Sequence, residues 1–174
     1  MVCVLEGGLA RCTGLDPLTS SADTERAVYS ALLATVTHDD TATVIVEDST
    51  GHYDFSEAYI AQSFEDRYDA APSSTLLHEL HERSITAYSI QTVSLPSRVD
   101  VVTHAEARAL QQSGSGGVMV YMVSPVALSV DQDEALVYFE QSCGPLCSSA
   151  HIAWLKRHEN GEWSVDGMTE VWIS

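Results

Sequence analysis

Lysine is all but missing from this chain. Of eight basic residues only Lys156 is a lysine, and they stand against twenty-five acidic residues for a formal net charge of -17. No basic stripe is present, and so acidic a surface repels nucleic-acid phosphates and anionic membranes, which sets nucleic-acid binding aside. Long apolar runs are missing too. None approaches the ~18 residues of a membrane helix, so no integral membrane segment is expected. The stretch from Met1 to Cys12 is too short, and with Glu6 too polar, for an intact signal peptide.

The usual catalytic signatures are also lacking. Ser113-Gly-Ser-Gly-Gly117 has no Lys-Ser/Thr and does not lead from a strand into a helix, so it is no phosphate cradle. There is no Gly-x-Ser-x-Gly elbow. The acidic pairs Asp39-Asp40 and Glu47-Asp48 do not follow the alternating pattern of a calcium loop. The one dense cluster of chemical side chains is His78-Glu-Leu-His-Glu82. On a helix His78 and His81 share a face, and Glu82 lies four residues from His78, offering three ligands to zinc. The spacing is not HExxH, because Glu82 stands where the second histidine belongs. A solvated, charged helix face is the plainer reading, and no cofactor is expected.

What the chain does have is a C-terminal run of strands. Glu134 to Phe139 alternates with apolar groups on both faces, His151 to Arg157 repeats the pattern, and Trp163 to Ile173 closes it. Asn160-Gly161 tolerates positive φ at both positions, which predicts a primed hairpin turn between the last two strands. The first turn, Cys143-Gly-Pro-Leu-Cys147, sets two cysteines opposite each other at a hairpin neck. Facing Cβ atoms lie about 4.5–5.5 Å apart and a disulfide needs about 3.5–4.5 Å, so slight pinching closes the bond. The loop is short, and the stabilisation falls at or below roughly 3 kcal/mol. A redox-active pair is the alternative, but the spacing is not CxxC and no helix N-terminus follows to lower a thiol pKa.

The rest reads in order. Residues 1–22 form a tail and linker, and residues 23–174 form one domain, for which 174 residues at 45% hydrophobic content suffice. Asp23 opens a helix to about Val36 with Val28, Leu32 and Val36 inward. A strand runs from Thr41 to Glu47, then helices from Glu57 to Tyr68 and from Leu76 to about Tyr88. Ser94 to Val102 is extended, Thr103 or His104 starts a short helix to Gln112, and Gly117 to Val130 is a long strand bent near Pro125. Tyr121, Tyr138 and Trp154 would line a concave sheet face, or lie packed beneath helices. The remaining histidines, including His104 and His151, are scattered. Helices first and antiparallel strands last is the order of an α+β fold, with N-terminal helices on a C-terminal antiparallel meander and a cystatin-like or NTF2-like curl.

The string Ala135 to Phe139, Cys143, Gly144, Leu146, Cys147, Leu155, Gly161, Trp163, Val165, Trp172, Ile173 and Ser174 resembles the C-terminal pattern of an uncharacterised family of small bacterial proteins, often exported or lipoprotein-like. The resemblance covers the last quarter of the chain and implies fold rather than chemistry. It departs at Ser148-Ser149-Ala150, where members tend to carry a glycine-containing step. Leu9-Ala-Arg-Cys12 faintly resembles a lipoprotein cleavage box, against which Arg11 argues. Export is therefore favoured, with acidity suited to solubility or high salt. The expected function is a non-enzymatic module that binds a protein or small-molecule ligand. The alternatives are a metal-dependent hydrolase using His78, His81 and Glu82, and a thiol-disulfide protein using Cys143 and Cys147.

Overall fold

A computed structural model describes residues 3–4, 11–12, 21–37, 44–48, 53–85, 89–90, 95, 99–112, 118–143 and 147–173. In chain order the elements are β1 (Cys3–Val4), β2 (Arg11–Cys12), α1 (Ser21–Val36), β3 (Val44–Glu47), α2 (Glu57–Tyr68), α3 (Ser74–Ser84), β4 (Val99–Val102), α4 (His104–Gln112), β5 (Val120–Val123), β6 (Ala127–Leu128), β7 (Glu134–Ser142), β8 (Ser148–Arg157) and β9 (Trp163–Ile173). The short β1 and β2 pair antiparallel as a separate two-stranded sheet. Most of the expected linker and the glycine-rich 113–117 lie outside the described residues.

The main sheet has seven strands in the order β4-β3-β5-β7-β8-β9, with β6 also on β7. Its C-terminal half is the expected antiparallel meander, and the class is α+β. Its other half is different: β3 runs parallel to both β4 and β5. Parallel neighbours need a crossover, and here α2 with α3 links β3 to β4, while α4 links β4 to β5.

Successive residues of β7 feed two separate cores. Ala135, Val137 and Phe139 join Val28, Tyr29, Leu32 and Leu33 of α1. Leu136 and Tyr138 point the other way, to Ile60 and Phe64 of α2 and Leu76, Leu77 and Leu80 of α3. Because side chains alternate across a strand, the helices must cover opposite faces of one sheet. Each fully buried Leu, Phe or Ile contributes about 1.5–3 kcal/mol of transfer free energy. Tyr121, Tyr138 and Trp154 are accordingly buried beneath helices, at 6%, 3% and 4% exposure, and line no open face.

Local chemistry sets the element ends. Ser56 caps α2 by accepting the Tyr59 N–H at 3.4 Å, and Ser73 caps α3 by accepting that of Leu76 at 3.2 Å. The α3 helix therefore begins two residues before the expected start at Leu76, and it stops at Ser84, short of the expected Tyr88. The long strand expected over 117–130 is split into β5 and β6 at Ser124-Pro125. Proline has no N–H to donate to the ladder, and the Ser124 hydroxyl stands in as acceptor for the Tyr138 N–H at 3.0 Å. Tyr29 of α1 donates to the Ser124 carbonyl at 2.8 Å, tying the helix to the same break.

One expectation about the meander is corrected. The β8–β9 turn is not of the primed two-residue type. The Gly161 N–H closes onto the His158 carbonyl at 2.8 Å, and only Gly161, at φ 86°, is left-handed; Asn160 is not. Trp172 is not a core residue: it is 36% exposed, and its Nε1 donates to the Tyr138 hydroxyl at 3.1 Å. The buried tryptophan is Trp154 of the central strand, set edge-on to Phe64 at 5.8 Å.

At the sheet edge, β9 is held by α2. The Tyr68 hydroxyl accepts the Met168 N–H and donates to the Met168 carbonyl, both at 2.9 Å, which occupies backbone groups that an edge strand otherwise leaves open. This approach requires the missing side chain at Gly167, where a Cβ would sit 3.2 Å from Phe64 and 3.2 Å from Tyr68 ring atoms. Phe64 is fully buried, so it cannot yield. Gly167→Val is therefore expected to lower the unfolding free energy by about 1–3 kcal/mol in denaturant titration; an unchanged midpoint would show that the α2–β9 contact is looser than described.

Candidate functional site

The densest set of chemically distinct side chains lies where α4 crosses the parallel half of the sheet. Glu47 is the last residue of β3, and its side chain points to the α4 face, opposite to Val44 and Val46 in the α1 core. The pairing of Val46 with Tyr121 and of Met122 with Glu140 puts Glu47, Met122 and Glu140 in one row across β3, β5 and β7. Two strand spacings, roughly 10 Å, separate the outer strands of that row. Above it α4 presents His104, Ala107, Arg108 and Gln111, residues at helical spacing on one face. The result is a cleft of about 400 Å³, with Val120 and Ser142 forming the next row of its floor.

The α4 roof is capped at its start and tied to the sheet at its far end. Thr103 and Glu106 form a reciprocal capping box: Glu106 Oε2 accepts the Thr103 N–H and hydroxyl, each at 2.8 Å, and Thr103 Oγ1 accepts the Glu106 N–H at 3.3 Å. The Thr103 backbone N–H, then its hydroxyl, hold the Glu106 carboxyl below the usual range. At the far end the Gln111 amide donates to the Ser142 carbonyl at 3.5 Å. The helix lies where the sequence predicts it, and of the two candidate starts Thr103 is the cap and His104 the first helical residue.

Glu47 is a buried carboxylate, 4% exposed at its side chain, and His104 Nδ1 lies in hydrogen-bond contact with its Oε1. A buried carboxylate without such a partner carries a heavy desolvation cost. Glu140 is half-buried, and burial, followed by the nearby Glu47 charge, pushes its carboxyl above the usual range. Displaced carboxyl groups in a cleft are a physical mark of a working site. No motif announces this one. Glu47 was visible only as half of an acidic pair, His104 only as a helix start, and Glu140 only as part of a strand.

The histidine cluster on α3 is arranged differently from the His78, His81 and Glu82 triad of the alternative, metal-binding reading. His78 Nδ1 and His81 Nδ1 both meet Glu57 Oε1 of α2, at 3.1 and 3.3 Å, and His81 Nε2 lies 3.6 Å from Asp54. Glu57, rather than Glu82, is therefore their common partner, because the helix pair brings the α2 N-terminus over α3. Among the described residues no group of three His, Cys, Asp or Glu side chains is placed to hold a metal ion. Beside the cluster, α2 and α3 leave a groove of about 550 Å³ lined chiefly by small residues such as Ala58, Ala61 and Ala71. It is larger than the cleft beneath α4, and its polar lining is Glu57, Glu65 and Ser74, with no cationic side chain among the lining residues.

Cys143 and Cys147 lie at disulfide distance across the β7–β8 neck, Cα to Cα 5.3 Å, and the Cys143 N–H donates to the Cys147 carbonyl at 2.8 Å. The Gly-Pro-Leu loop between them lies outside the described residues. Just beyond, Gln141 donates to the Ser149 hydroxyl at 3.0 Å, and Ser149 lies 3.0 Å from His151 Nε2. Burial lowers the His151 pKa, and the ring stacks on Phe139 at 5.2 Å. Among the described residues no carboxylate bonds the other ring nitrogen, so the pair lacks the third group that orients a catalytic base.

The Glu57 cluster carries a defined pH dependence. The hydrogen bond from His78 holds the Glu57 carboxyl below its ordinary 4.5, so its stabilisation is present above that value and lost as pH falls through the lowered pKa. The same bond raises His78 above its ordinary 6.5, with Glu82 and Glu79 adding to the effect; that stabilisation is complete below 6.5 and lost as pH rises through the raised pKa. The Tm difference between the native chain and Glu57→Gln is thus expected to be widest between 4.5 and 6.5 and to close at alkaline pH. A difference independent of pH would mean that the contact is held by packing alone. In comparisons with protein-family models, with curated proteins and with solved structures, nothing matches this chain.

Proposed function

We propose that this protein is a non-enzymatic binding module and that the cleft beneath α4 is its ligand seat. The observation that carries the reading is the row Glu47–Met122–Glu140 under the His104 and Arg108 side of α4: a buried carboxylate, a second carboxylate displaced upward by burial, and a volume of about 400 Å³. That volume lies within the roughly 300–1,000 Å³ of small-molecule sites, which are concave and carry a few convergent polar groups. The floor is rigid sheet and the roof is a capped helix, which suits a preformed site.

The two enzymatic alternatives receive no comparable support. His78 and His81 each direct a ring nitrogen to Glu57 of α2. Cys143 and Cys147 sit in a strand hairpin and not at a helix N-terminus, the setting that activates a thiol. The proposal includes an extracytoplasmic setting and kinship with the exported bacterial family that the C-terminal pattern resembles. The disulfide supports that setting, since such bonds persist in oxidising compartments.

A thermal-shift screen of small polar compounds tests the reading. At least one compound is expected to raise the Tm of the native chain and to lose that effect in Met122→Trp, which fills the floor, and in Gln111→Trp, which blocks the open end. Compounds that stabilise all three chains alike would place binding elsewhere, and a screen with no hits would contradict the proposal.

A further inference from the structure

The charges around the cleft are sorted by side. The sheet supplies carboxylates, Glu47 and Glu140, with Met122 between them. The helix supplies a guanidinium, Arg108, four residues on from His104 and on the same face. His104 is committed to Glu47. Arg108 and Glu140 are not committed: neither makes an ion pair or side-chain hydrogen bond among the described residues, although they line one cleft.

A half-buried carboxylate that also feels the charge of a second one is stabilised by a cation that pairs with it. An exposed guanidinium above the same space is a fixed fork for a carboxylate. Resting on the reading of this cleft as the ligand seat, we infer that its ligand is a small zwitterion of the amino-acid class, with the ammonium group at Glu140 and the carboxylate at Arg108. Met122 supplies an apolar wall for the carbon skeleton between the two ends. A diamine would set a second positive charge against Arg108. A dicarboxylate would set a negative charge against Glu47 and Glu140, in a chain already at -17. The charge pattern therefore selects for opposite ends on one molecule.

Calorimetric titration of the full chain tests this with four kinds of probe: the L-amino acids, 5-aminovalerate, cadaverine and glutarate. One or more of the zwitterions is expected to bind, and cadaverine and glutarate are not. Glu140→Gln and Arg108→Met should each weaken zwitterion binding by about tenfold or more, as loss of a charge-assisted bond implies. Met keeps the apolar stem of Arg108, which is exposed, and Gln keeps the shape of Glu140, so circular dichroism of the variants should be unchanged. Cadaverine binding as tightly as the zwitterions, or indifference to Arg108→Met, would reduce the seat to a cation site and overturn the inference. Glutarate binding alone would overturn it in the opposite sense. A neutral compound that binds and is excluded by Met122→Trp, with no zwitterion binding, would overturn the ligand class but leave the cleft as the seat. Binding by zwitterions that ignores both substitutions would overturn both.

Discussion

The constraint on which the structure depends is that β7 and β8 must be covered on both faces. Residues 135–139 of β7 and 152–155 of β8 are buried without interruption, so neither face of the sheet centre tolerates water. One helix layer cannot meet that demand. The α1 helix takes the odd-numbered side of β7, while α2 and α3 take the even-numbered side. Helices on the second face come from the connections between β3, β4 and β5, and those connections force the strands to run parallel. The mixed sheet thus follows from the two-sided apolar meander.

The same constraint places the cleft. On the even-numbered face α2 and α3 cover Leu136 and Tyr138, and the apolar character of β7 ends there: the next even positions are Glu140 and Ser142. The cover over these polar positions is α4, which has Arg108 and Gln111 where a core helix would have leucine. A polar stretch of sheet under a polar stretch of helix cannot close into a dry core, because unpaired polar groups are costly to bury. It remains a hollow walled by charge, and the helix is tied over it by the His104–Glu47 and Gln111–Ser142 contacts and by the buried Ala107.

Much of this was legible in the sequence, and the rest was hidden for identifiable reasons. The meander, its disulfide neck and the helices at 57–68 and 104–112 follow from period-two and period-three-to-four patterns and from cap residues, all local signals. Apolar groups on both faces of 134–139 already called for cover on two sides. The parallel pairing of β3 was not readable, since four residues of strand do not state their neighbours. The histidines were visible, but their partner Glu57 lies twenty-one residues from His78 and on another helix. Glu47, His104 and Glu140 meet only through the register of three strands, and no spacing in the chain encodes that. The Asn160-Gly161 turn misled because a longer loop needs one left-handed residue and not two.

The measurement that bears most directly on this account is an amide chemical-shift map of the isotope-labelled chain titrated with the tightest-binding amino acid. The account predicts changes concentrated at Glu47, Met122 and Glu140 on the sheet and at His104 to Gln111 on α4, with the α2–α3 groove around Ala58 and Leu77 unmoved. Changes centred on that groove, or spread evenly over the surface, would contradict it.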